Sequence, residues 1–384
     1  MVFLAPLLLC VSALERWPPA RIASIVVVVG IAVRLVHFAR FSIDEGADML
    51  PLTRSAIERV LAGKNPYIYY YLPDPVPLTY YPLTWLAFLP AYVAHVDLRW
   101  TNIAAEIAVL AAIVGAGGAR RKIPENTVGG RATAPLDAAG AAVLVWCFQF
   151  LLPSSVYFDR ITTAPVAWAL LSWCLALSVR KSKCDWVTLG LTAASTPLAS
   201  IVAPFVFVIW CRRYSVRGAA IRALKTALVT TVILAPFVIG SPRGFFDGTV
   251  LWFNDLSRYP GMTWRVYEPW QRYLGFGGLF WREGLERVLA PIQWLLVGGI
   301  TVLFARRRAP AKLLPTHVAG AFVAFMVFNS VHWPYFYQPA ICAGCLAIAV
   351  AGSGTRTRSR QSPSTQRLPS SEPRSPANAS AVFA

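Results

Sequence analysis

Residues 22–48 read IASIVVVVGIAVRLVHFARFSIDEGAD, an apolar run broken by Arg34, closed by Arg40, and followed at once by Asp44, Glu45 and Asp48. A run of about 20 mainly apolar residues matches the hydrocarbon thickness of a bilayer as a helix, and the charges after it mark where the chain leaves lipid. Similar apolar stretches recur at 82–96, 101–118, 136–152, 161–179, 186–196, 198–211, 219–239, 288–305, 313–331 and 336–351. The 384 residues are 56% hydrophobic and only 14% charged, where soluble domains carry about 25% charged residues. The mean hydropathy is +0.53. Together these exclude a soluble protein and predict an all-α, polytopic transmembrane helical bundle of about ten or eleven spans.

The net charge of +18 would point to nucleic acid if it covered one face, but it sorts by loop. Alternate connections hold 23 bases against five acids, Glu15, Glu125, Asp137, Asp185 and Glu372, while the other side is nearly neutral. This is the positive-inside pattern, so the basicity needs no nucleic-acid partner, and the protein is placed in the plasma membrane with its nearly neutral loops outside. Two segments test this topology. Basic clusters flank both ends of 186–211, which therefore crosses twice as a short hairpin broken near Pro197. The stretch 82–96 must be shallow or re-entrant for the crossings to alternate. Short, broken helices persist in membranes where protein or a cavity covers them.

Residues 1–352 form the transmembrane domain in this scheme, opening with a membrane-skimming lead-in, and 353–384, rich in Ser, Pro and Arg, form a disordered basic cytoplasmic tail. None of the seven cysteines falls in an outer loop, so no disulfide is expected. The CAGC string at 342–345 is read as small residues packing between helices, since no second thiol pair exists to complete a zinc site.

With short cytoplasmic loops, chemistry belongs to the two outer loops, 42–81 and 240–287. Asp44 and Asp48 share a face if helix continues through them, and like charges at that spacing raise one pKa, as a general base needs. A solvated helix end fits the same spacing. Ile57, Val60 and Leu61 give the next segment an amphipathic face, ending at Gly63, expected to lie flat on the bilayer. The second loop interleaves aromatic residues with Arg243, Arg258, Arg265, Arg272 and Arg282. They suit an interfacial belt, and one or two of the arginines suit a phosphate. His332, beside Trp333 and Tyr335, is either a belt residue or a phosphate or hydroxyl ligand. Within the spans, Glu106 is placed to pair with Arg34 or with Arg99.

An acid after the first span, then LAGKNPY at 61–67 and TYYPLTWLAFLPAY at 79–92, resembles the GT-C superfamily of membrane glycosyltransferases. The pattern is most similar to glycosyltransferase family 87, the polyprenyl-phosphomannose-dependent mannosyltransferases. FDR at 158–160 and HWPYFY at 332–337 are similar in placement. The likeness spans about residues 22–352 and is tight over 44–90. The chain departs from the family at YYPL, 80–83, where a second proline is usual. Its DEGAD cluster offers counterparts both to the single Asp of family 87 and to the DE pair of the protein O-mannosyltransferase branch.

The resemblance implies an inverting enzyme that moves a sugar, in that family mannose, from a polyprenyl-phosphate donor to a lipid, glycan or protein acceptor on the extracytoplasmic side. It implies Asp48 or Asp44 as general base, with Glu45 orienting the sugar. His332 and an arginine of the second loop, such as Arg258 or Arg265, would hold the phosphate. Tyr80, Tyr81, Asp159, Arg160 and Tyr335 would line the cavity. Membrane lipids are further partners. No cofactor is required, and a divalent metal is left open. A transporter or flippase of a lipid-linked or small sugar is the alternative, and would want polar groups through the midplane and two related halves.

Overall fold

Apolar helices dominate the chain because each satisfies its backbone internally, the only way an isolated segment can cross hydrocarbon. The computed structural model describes residues 19–45, 49–71, 75–117, 140, 142–143, 146, 163–251, 276, 279–280, 283–329 and 334–352. In chain order the elements are α1 (Pro19–Arg40), a 3-10 turn (Ile43–Glu45), α2 (Met49–Leu61), β1 (Tyr69–Tyr71), β2 (Pro75–Pro77), α3 (Pro82–Leu86), α4 (Leu89–Val93) and α5 (Arg99–Gly117). There follow α6 (Pro165–Val179), α7 (Asp185–Ser195), α8 (Ala199–Gly240), α9 (Pro242–Phe246), a π-helical turn (Asp247–Leu251), α10 (Leu289–Arg306), α11 (Leu314–Val327) and α12 (Gln338–Gly352). The protein is thus helical, and the described residues of 1–353 belong to one unit.

Four described helices are long and apolar enough to cross a membrane: Ala23–Arg40, Arg99–Gly117, Ala199–Gly240 and Leu289–Arg306. Pro82–Val93, Pro165–Val179, Ala311–Val327 and Gln338–Ala351 are apolar but shorter. Most of the expected span 136–152, the lead-in and the tail lie outside the described residues. A small sheet, unforeseen in an all-α reading, pairs β1 with β2 antiparallel, Tyr70 opposite Val76. Pro75 and Pro77 lack a ladder N–H, which confines this hairpin to an edge.

The stretch 82–96 is two five-residue helices, far short of a crossing. The hairpin expected at 186–211 breaks where Thr196 turns extended, φ −155°, just before Pro197. The two segments meet there: the Thr84 hydroxyl donates to the Ser195 carbonyl, an acceptor left orphaned by the end of α7. The second surprise is α8. The sequence implies a basic loop at 212–218 between two spans, but helix resumes after a single non-helical residue, Ser215, φ 72°.

Asp185, fully buried, ties this elbow together. Its Oδ2 accepts the Trp210 indole N–H at 2.8 Å from before the kink, and its Oδ1 accepts Arg222 at 2.7 Å from after it. Arg222 also lies 4.0 Å over the Tyr214 ring. Nearby, Arg212 donates to the carbonyls of Phe304, Ala305 and Ala309, capping the C-terminal end of α10, where unpaired acceptors and the helix dipole favour a cation.

Between α1 and α5 the sequence left two partners for Glu106. The structure selects Arg34, 3.0 Å away, with both side chains almost wholly sealed. The surrounding core gathers Trp85, Phe88, Trp168, Phe205, Trp210, Phe304 and Phe322.

Candidate functional site

Helix α1 stops because the chain turns at Phe41, whose N–H reaches back to the His37 carbonyl at 3.0 Å. Ser42 then accepts the Asp44 N–H at 3.2 Å, a hydroxyl turn that folds the next three residues into the separate 3-10 turn. Asp44 therefore stands in a turn of its own and not in a continuation of α1. Asp48 lies outside the described residues, and Glu45 closes the 3-10 turn. Asp44 is met instead by Arg54, one turn and a half into α2, with N–O distances of 2.7 and 3.4 Å. The pair faces water, its side chains 52% and 36% exposed.

This pair borders an open pocket of about 590 Å³ at the end of α1, within the usual size of small-ligand sites. Arg40, Tyr92, His95, Asp97 and Arg99 also line it. His95 holds a left-handed backbone, φ 54°, a conformation uncommon outside glycine. Arg99 is 2% exposed and fully committed. Its Nε lies 2.9 and 3.0 Å from the two Asp97 oxygens, and its outer nitrogens donate to the Phe41 and Phe38 carbonyls at 2.9 and 3.2 Å. Arg99 thus caps α1 and fixes the corner from which Asp44 projects. Asp97 also accepts the Arg99 N–H at 2.9 Å, an N-cap to α5. An Asp two residues before a basic residue, at the start of an apolar run, is a cap signature that could have flagged this pair. Nothing in the sequence places Tyr92 or His95 beside Asp44.

The amphipathic helix α2 exists, but its apolar face does not lie free on lipid. Leu50, Thr53, Ala56 and Ile57 are fully buried, and only Leu61 is left open, at 55%. The end is set by Gly63, φ 70°: its N–H bonds the Val60 carbonyl at 2.9 Å and that of Lys64 bonds Arg59 at 2.8 Å, a Schellman cap.

Tyr80 and Tyr81 are not among the pocket's lining residues. The Tyr80 carbonyl accepts the Tyr67 hydroxyl at 2.8 Å, and the Tyr81 ring lies 6.0 Å from Phe245. The whole NPY–YYP region is a packing seam between the two loops. Asn65 caps the turn into Tyr67 at 2.8 Å and donates to the Phe237 carbonyl at 3.2 Å, while Ser241 donates to the Tyr67 carbonyl at 3.3 Å. Burial pushes the phenols of Tyr67, Tyr70 and Tyr81 above their ordinary value. Gly244 and Gly248 let the backbones touch: an added Cβ would overlap the carbonyl oxygens of Tyr67 and Leu78.

Asp159, Arg160, Arg258, Arg265 and His332 lie outside the described residues, and Tyr335 sits in the 3-10 turn Pro334–Tyr337. Among the described residues no group of three or more His, Cys, Asp and Glu converges to hold a metal. The chain matches no family model, no curated protein and no solved structure. What the pocket offers chemically is a half-exposed carboxylate to take a proton, beside guanidinium groups able to hold an anion.

Proposed function

We propose that the chain is a multi-pass glycosyltransferase of the GT-C type in the plasma membrane, crossing about ten or eleven times. In this proposal it transfers a sugar from a polyprenyl-phosphate donor to a lipid, glycan or protein acceptor on the extracytoplasmic face. The observation that carries this is Asp44 set with Arg40 and Arg54 around one open pocket, with Asp44 and Arg54 belonging to the segment, 44–90, whose motifs resemble family 87. The division of hydrogen bonds supports the sidedness. Residues of the first outer loop meet the start of the second and the helix end before it, and Thr84 meets the Thr196 break, whereas the basic clusters at 181–185, 212–222 and 304–309 meet one another.

The chemistry is a single displacement. A carboxylate, Asp44 or the neighbouring Asp48, takes the proton of the acceptor hydroxyl as its oxygen bonds to the anomeric carbon. The bond from that carbon to the phosphate oxygen breaks, and the phosphate leaves with the electron pair, its charge held by arginine. The leaving group is already stable, so no general acid is needed, and inversion follows. Glu45 orients the sugar in this scheme. Mannose is the sugar by resemblance.

The test is transfer from a panel of polyprenyl-phosphate sugars in proteoliposomes by wild type, Asp44→Asn and Asp48→Asn. Loss of a general base lowers turnover by about 10²- to 10⁴-fold in one of the two variants. Wild-type rates in both refute the base assignment, and no transfer by wild type from any donor refutes the enzyme and favours a transporter.

A further inference from the structure

The pocket beside Asp44 contains three arginines and two aspartates, but their charges are not equally available. Arg99, itself buried, and the partly exposed Asp97 neutralise each other, with Nε on both carboxylate oxygens, and the outer Arg99 nitrogens are spent on the Phe38 and Phe41 carbonyls at the end of α1. Arg40 stands exposed in the last turn of α1. That leaves Arg40 and the Asp44–Arg54 pair to meet whatever enters. An exposed ion pair is weakly held, because water competes for both partners. Yet the guanidinium geometry is that of a two-pronged grip, 2.7 and 3.4 Å to two oxygens of one carboxylate. The same planar fork matches two oxygens of a phosphate. Exposed apolar groups adjoin the pocket: Val96 lines it at 48% exposure, and the lining residue Phe38 packs edge-on against Trp100, itself 44% exposed. Such a site suits an anion carried on a greasy chain.

We propose that Arg54, backed by Arg40, is the anion receptor of this pocket, and that Asp44 occupies Arg54 only as a placeholder which a phosphate group displaces. Displacement does two things at once. It seats the phosphate and it releases the Asp44 carboxylate from its cation, so that the base becomes free only when the anion is bound. The ligand's kind rests on the function proposed above, but the test reads binding and not transfer, so either can fail alone.

The probe is dodecyl phosphate, titrated into purified full-length protein and followed by calorimetry, with inorganic phosphate as a parallel arm. Arg54→Gln removes a charge-assisted contact and is expected to weaken binding by about 10- to 100-fold, with Arg54→Lys falling between, since it keeps the charge and loses the fork. Asp44→Asn is expected to tighten binding by about 1.5- to 5-fold, the range set by the small cost of breaking an exposed pair. Thermal unfolding of each variant checks that it is folded. Inorganic phosphate obeying the same order of variants assigns the site to free phosphate, whereas binding of dodecyl phosphate alone assigns it to a lipid headgroup. Weaker binding in Asp44→Asn, or wild-type binding in Arg54→Gln, overturns the placeholder mechanism.

Discussion

Removing the Asp185 carboxylate is expected to destabilise the protein by about 3 kcal/mol. The side chain is fully buried and accepts from Trp210 at 2.8 Å and from Arg222 at 2.7 Å. In Asp185→Ala the Trp210 N–H, on a residue 1% exposed, loses its acceptor, which costs about 1–3 kcal/mol. Arg222 loses its counter-ion but is 16% exposed and keeps its stack on Tyr214, so water compensates part of its loss. The sum therefore falls at the low end of the roughly 3–5 kcal/mol found when one member of a buried pair is deleted. Asp185→Asn retains an acceptor for Trp210 and should cost about half as much, on the order of 1.5 kcal/mol. The assay is unfolding in mixed micelles followed by tryptophan fluorescence, run as a double-mutant cycle with Arg222→Met. Direct partners should couple by more than about 0.5 kcal/mol. Strict additivity, or a change below about 0.5 kcal/mol in Asp185→Ala, would refute the idea that this carboxylate clasps the two halves of α8.

Three further outcomes are expected. Gly244→Ala should cost about 1–3 kcal/mol by forcing the loop backbones apart, whereas Gly63→Ala, with open space around it but φ 70°, should cost about 1 kcal/mol; melting temperatures of the two variants check the order. Burial raises the Tyr67 and Tyr70 phenols above their ordinary 10.0, so their contribution is intact below pH 10, where both states keep the proton. It is lost as pH climbs from there toward the folded value, because the unfolded chain ionises first; a pH series of melting temperatures should fall more steeply in wild type than in Tyr67→Phe with Tyr70→Phe. Finally, Glu106→Gln should destabilise by about 3 kcal/mol or more, while Arg34→Met with Glu106→Leu together should be closer to neutral, as measured by the same micelle unfolding.

Features of the fold that depend on local chemistry were legible in the sequence. The end of α2 at Gly63, the break before Pro197 and the apolar runs follow from backbone sterics and hydropathy, which neighbouring residues dictate. The partner of Glu106 could be narrowed to two cations because few charges lie in the spans. Other features depend on which distant groups happen to meet. Arg54 reaching Asp44, and Arg99 turning back onto the α1 carbonyls, are long side chains choosing among several acceptors, a choice that spacing does not encode. Tyr80 and Tyr81, cavity residues by the resemblance, are not among the residues lining the pocket beside Asp44. The Tyr81 contact with Phe245 and the seam of Ser241 and Gly244 on Tyr67 bring together groups far apart along the chain. The elbow at Ser215 escaped because a basic stretch reads as a loop unless a buried acid is known to neutralise it.

The glycine-lined seam bears on biogenesis. Asn65 bonds to a carbonyl 172 positions later, so the first loop stays without its mate until Phe237 and the turns after it have left the ribosome. At about 5–20 residues per second, that wait lasts on the order of 10–30 s, during which a stretch rich in tyrosine must be shielded by the translocon or by a chaperone. Truncations that stop short of Gly248 should for that reason be recognised as orphans by the quality-control proteases.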